Sequence, residues 1–125
     1  MTVLVDSDVL IEVMRARDAD LASRWDVLSN SATSILYSPV TEAELWAGAR
    51  LNEHKALTNL FLTLICVPIT ADIGRSAGKY LRSFRKSHGT QMGDALIAAS
   101  AVSRGAQLWT RNRKHFPMND LALFE

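Results

Sequence analysis

At 125 residues, with 48% hydrophobic and 22% charged residues, the chain has the size and composition of one soluble globular domain rather than of a disordered segment. Its apolar runs are broken before they could span a bilayer, and the N-terminus has no basic-apolar-small succession of a secretory signal. The single cysteine, Cys66, excludes an intrachain disulfide and points to a reducing cytoplasm. Net charge is +1, but it is unevenly spread. Residues 1–72 hold ten acids against five bases, whereas residues 73–119 hold nine Lys or Arg and one acid, Asp94, a balance of +8. A basic half is the electrostatic footprint of a polyanionic partner, or else the solvated face of a helix.

In chain order, residues 2–5 (TVLV) read as a buried strand, and residues 8–17 as a first helix opened by a good capping residue. Residues 18–30 carry Leu21, Trp25 and Leu28 at helical spacing. A second strand is expected at 34–38, ended by Pro39, with helices at 41–50 and 55–64 after it. Residues 65–69 form a third strand, where Pro68 indicates a sheet edge because proline removes a ladder donor. The helix over 71–86 is two-faced: Ile73, Ala77, Tyr80 and Phe84 on one side, Arg75, Lys79, Arg82 and Lys86 on the other. Gly89 ends it. Thr90 is positioned to cap a helix over 91–104 that is apolar nearly all round, and strands follow at 106–110 and, more weakly, at 122–124. Strands alternating with helices imply right-handed crossovers. The expected fold is therefore a single three-layer α/β/α domain over residues 1–125, built on a mostly parallel sheet of four to five strands.

Five positions can carry chemistry. Asp6 and Asp8 follow the first strand, where open parallel sheets collect ligands. One capping residue explains one of them, and Asp8 suits that role, which leaves Asp6 over. Glu44 stands three residues after Thr41, a capping-box spacing that competes with a site role. Asp94 is the only charged residue between Gln91 and Val102, and a carboxylate among core residues is expensive without a compensating cation or donor. Asn112, just past the fourth strand, can contribute a neutral oxygen or hold water, and His115 beside it reads as ordinary loop surface. Hard oxygen ligands of this kind suit Mg²⁺ or Mn²⁺. No zinc spacing, glycine-rich phosphate loop or Gly-x-Ser-x-Gly elbow is present.

The segments VDSDVLIE, TEAELWAGA, GDALIAA and TRNRKHF occur in an order that resembles the PIN-domain ribonucleases, and more narrowly the VapC toxins of bacterial type II toxin–antitoxin pairs. The resemblance implies a metal-dependent endoribonuclease with Asp6, Glu44 and Asp94 around one or two Mg²⁺ or Mn²⁺ ions, and with Asn112 in a fourth place that is often acidic. Asp8 departs from the small polar residue usual there and is expected to support the site from behind. Arg75, Lys79, Arg82 and Lys86, with Arg111, Arg113 and Lys114, would hold the RNA backbone. An antitoxin protein and a homodimer are also implied. Two rivals remain at this point. A catalytically degenerate domain would bind RNA or a partner without cutting. A phosphatase of the haloacid dehalogenase type shares the Asp-x-Asp opening, but needs a second acid after Gly93-Asp94, where this chain has apolar residues.

Overall fold

The computed structural model describes residues 1–125. Four strands, β1 (Thr2–Val5), β2 (Ser34–Tyr37), β3 (Ile65–Cys66) and β4 (Gln107–Trp109), form one sheet in the order β3-β2-β1-β4. All three pairings are parallel, with Leu4 in register with Leu36 on one side and Leu108 on the other. β1 is thus central, which is why its Val3, Leu4 and Val5 have no exposed surface. The proposed fifth strand contracts to one parallel bridge between Leu108 and Leu123. β3 is shorter than expected and lies on the edge, as Pro68 indicated.

The pleat sends alternate residues of β1 to opposite layers. Leu4 joins one core with Leu36 and Leu108, closed by Ile73, Ala77 and Leu81 of α5 (Ala71–His88) and by Ile97 and Ala98 of α6 (Met92–Ser103). Val3 and Val5 join the other. That core is closed by Val9 and Leu10 of α1 (Ser7–Arg15), Leu21 and Leu28 of α2 (Ala19–Ser29), Leu45 of α3 (Pro39–Gly48) and Phe61 of α4 (His54–Leu62). The alanine-rich α6 is buried on most of its circumference because short side chains let it approach both α5 and the sheet.

Three helix starts differ from expectation, and each difference bears on the site. α1 is capped by Asp6, whose side chain accepts the Ser7 N–H, so Asp8 lies inside the first turn. α3 starts two residues early: Ser38 caps it and Pro39 supplies the preset φ of the first helical position. Thr41 and Glu44 therefore form no capping box. At α6 the cap position is Gln91, and Thr90 instead donates its hydroxyl to the His115 carbonyl at 2.9 Å.

Candidate active site

Parallel pairing fixes what meets at the carboxyl edge. Val5 is in register with Trp109, so the residues that follow, Asp6 and Thr110, are neighbours. Asp6 accepts the Ser7 N–H on Oδ1 and the Thr110 hydroxyl on Oδ2, both at 2.8 Å, and is only 7% exposed. Burial, reinforced by the charges of Asp8 and Asp94 and opposed by those two hydrogen bonds, pushes its pKa up from 3.8 to about 7.

Asp8 accepts the Arg111 N–H on Oδ2 at 3.1 Å, while its Oδ1 is buried without a partner. Burial raises this carboxyl too. The Arg111 and Val9 N–H groups and the Arg111 charge lower it, and Asp94 raises it. Asp94 reaches back to the Gln91 N–H at 2.9 Å, and the same oxygen stands 3.4 Å from His115 Nδ1. His115 Nδ1 is also 2.8 Å from Asn112 Nδ2, and the Asn112 N–H donates to Thr110 Oγ1 at 3.0 Å. Glu44 Oε1 accepts the Ser7 hydroxyl at 2.8 Å, and Thr41 Oγ1 lies 3.1 Å from the same group.

The fold thus brings Asp6, Asp8, Asp94 and Asn112 together and ties Glu44 to Asp6 through one serine. The capping role expected of Asp8 falls to its neighbour. Asp6, not Asp8, is the cap, and Asp8 carries the unsatisfied oxygen. No three acidic, histidine or cysteine side chains converge as a finished ligand cage. Magnesium does not require one, because it keeps several waters and uses one or two carboxylates plus substrate phosphate. An orphaned buried carboxylate oxygen, and neighbouring carboxylate charges that push the Asp6 pKa up, fit a divalent cation.

A family model for the PIN domain matches residues 3–120. The chain belongs to the PIN-domain family. Ribonuclease VapC10 of Mycobacterium tuberculosis is 40% identical to this PIN domain over 117 residues, covering 93% of this chain and 86% of the relative. Among solved structures, VapBC-1 from nontypeable Haemophilus influenzae matches with a TM-score of 0.79 at 25% identity, over 100% of this chain and 98% of that one. VapBC-5 from Mycobacterium tuberculosis, a member of the VapBC family of toxin–antitoxin systems, matches with a TM-score of 0.68 at 19% identity, over 99% and 98%.

Three residues of the site were not singled out from the sequence: Ser7, Thr110 and the role of His115. Ser7 and Thr110 follow from the sheet order, since each is within two residues of a strand end at the shared edge. His115 needed the contact between the turn at Arg113–His115 and α6. Of the seven cations expected on RNA, three are otherwise engaged. Arg111 packs its guanidinium on Glu12 at 3.3 Å and near Asp18 at 3.9 Å, clamping the loop after β4 onto α1. Arg113 pairs with Glu125 at 3.1 Å. Arg75 pairs with Asp72. The last turn of α5 abuts the site, because a side chain added at Gly89 would stand 3.6 Å from His115 Nε2. At 1.5 Å per residue, Arg75 lies roughly 20 Å back along that helix, so among these seven Arg82, Lys86 and Lys114 are the unpaired cations nearest the carboxylates.

Proposed function

We propose that this PIN domain is a divalent-metal-dependent endoribonuclease, the toxin of a type II toxin–antitoxin pair, and that Asp6, Asp94 and Glu44 form its catalytic centre with Asp8 and Asn112 in support. The observation that carries this reading is the buried Asp6 carboxylate held between Asp8 and Asp94, with the partnerless Asp8 Oδ1 beside it. Asp6 and Asp94 would hold Mg²⁺ or Mn²⁺, and Glu44 and Asp8 would complete the set through water. Such an ion, when bound, polarises the phosphodiester and makes a nearby water acidic enough to attack at neutral pH.

The chain's own residues do the rest. Ser7 N–H and the Thr110 hydroxyl fix the orientation of Asp6, so no rotamer search is needed when substrate arrives. The Ser7 hydroxyl holds Glu44 toward Asp6. His115 is a neighbour of both Asp94 and Asn112, which keeps the loop after β4 against the start of α6. Arg82, Lys86 and Lys114 bind backbone phosphates and set register along the RNA without reading bases.

As with the relatives named for VapBC pairs, we infer an antitoxin partner, together with a homodimer and a cytoplasmic setting. No helix is long and apolar enough to cross a membrane. Purified protein incubated with total RNA in Mn²⁺, and in parallel with chelator, tests the reading. Fragmentation only with metal is the expected result. Retained binding with no cleavage in either condition would instead indicate a degenerate RNA-binding domain.

A further inference from the structure

Beside the carboxylates, a cleft of about 400 Å³ opens between α1, α3 and the turn at Leu51–Glu53. Glu44 lines this cleft as well as facing Ser7, so one side chain borders both. Half-buried Ile11 and Met14 give it an apolar patch, while Leu45 and Leu57 are almost fully buried in the core. Its rim is charged. Arg15, Arg17 and Arg50 all line it, and these are three of the five bases that residues 1–72 contain among ten acids. Arg17 is tied to Glu12 at 3.0 Å. Arg15 and Arg50 make no ion pair with any acid. Glu53, the other acid on the rim, is occupied by the Arg50 N–H at 2.8 Å.

An apolar patch beside unpaired guanidinium groups suits a nucleobase carrying a phosphate. Guanidinium groups take phosphate oxygens in bidentate fashion and stack on bases. We propose that this cleft is an RNA subsite that holds a nucleotide flanking the scissile phosphate, with its base against Ile11 and Met14 and its phosphate at Arg15 and Arg50. The inference rests on the ribonuclease reading and extends it to how the substrate is seated. An acidic peptide would satisfy the arginines too, but the chain that is cut must pass Glu44, and the cleft begins there.

Two variants test the cleft by different physics. Arg15→Ala with Arg50→Ala removes exposed charges. Gly48→Leu fills the space: Gly48 is the last residue of α3, and nothing lies within 4 Å of a Cβ placed on it. Leucine is also the better helix former, so a loss of function there cannot be ascribed to a lost fold if Tm holds. A short oligoribonucleotide is the probe, with cleavage followed in Mn²⁺ and direct binding followed in chelator.

The double arginine variant is expected to raise KM and the binding Kd at least tenfold while kcat changes less. Its salt dependence should become shallower by about 0.7 in log–log slope per lost phosphate contact. Gly48→Leu should raise KM and Kd with Tm unchanged. Wild-type KM, Kd and salt slope in both variants would overturn the subsite. So would unaltered RNA kinetics combined with lost binding of an aspartate-rich peptide. If the wild type cuts nothing, the ribonuclease reading falls, and the binding arm still decides whether RNA occupies the cleft.

Discussion

Replacing Asp6 by Asn should stabilise the metal-free protein, and the gain should grow with pH. In the folded chain the Asp6 carboxyl titrates at about 7 instead of 3.8, chiefly because it is buried and secondarily because Asp8 and Asp94 repel its charge. A raised acid pKa means that the folded state holds the proton more tightly than the unfolded one. Stability is therefore highest below the unfolded pKa and is lost as pH rises from there through the folded pKa. The full penalty is about 4 kcal/mol above pH 7, of which roughly 2–3 kcal/mol develops between pH 5 and pH 8. The amide has no charge to bury, so it escapes this loss. Any fixed cost of refitting the Ser7 and Thr110 hydrogen bonds is independent of pH and cancels in the comparison. Urea unfolding of wild type and Asp6→Asn in chelator at both pH values measures the difference. The advantage of the variant should increase by roughly 2–3 kcal/mol from pH 5 to pH 8. Adding Mn²⁺ at pH 8 should stabilise the wild type and leave the variant nearly unchanged, because a ligand stabilises only the state that binds it. Equal advantages at the two pH values would show that Asp6 is not held at the cost the structure implies.

Other perturbations separate chemistry from support. Asp94→Asn is expected to abolish cleavage while RNA affinity, measured by gel shift, changes little. Ser7→Ala removes the donor that holds Glu44 and should lower kcat about tenfold, a loss of about 1.4 kcal/mol in the transition state, with KM nearly constant in steady-state kinetics. Lys86→Ala with Lys114→Ala should weaken RNA binding and flatten its salt dependence, whereas Arg111→Ala should act mainly through the fold. Its loss frees the loop after β4 from Glu12, and amide exchange at 110–112 should speed up. Leu4→Ala in the central strand, where Leu4 is fully buried, should cost about 2–5 kcal/mol in chemical denaturation.

The alternation of apolar strand and amphipathic helix carried the α/β layering and the central place of TVLV. It carried less about where helices begin. Asp6, Ser7 and Asp8 are three consecutive residues able to cap α1, and Ser38 and Thr41 both precede good helical sequence. Only the chain direction at each strand end selects among them. That selection decides the chemistry. With Ser38 as the cap, Glu44 is released from a capping box and meets Ser7 instead. With Asp6 as the cap, Asp8 is left with an orphaned oxygen. Asp94 stood out as a lone acid on an apolar helix, and its place among carboxylates matches that signal. The cation set was legible as charge but not as position. Arg111 has the composition of an RNA contact and the geometry of a clamp on Glu12, a difference that appears only once α1 and β4 are side by side.

The most direct test of the central claim is metal-dependent cleavage of one oligoribonucleotide by wild type and Asp94→Asn, side by side across a Mn²⁺ titration with folding checked by circular dichroism. The account predicts cleavage that rises with Mn²⁺ and vanishes with chelator in the wild type, and no cleavage at any Mn²⁺ concentration in the variant. Cleavage by Asp94→Asn at the wild-type rate, or wild-type cleavage undiminished by chelator, would contradict it.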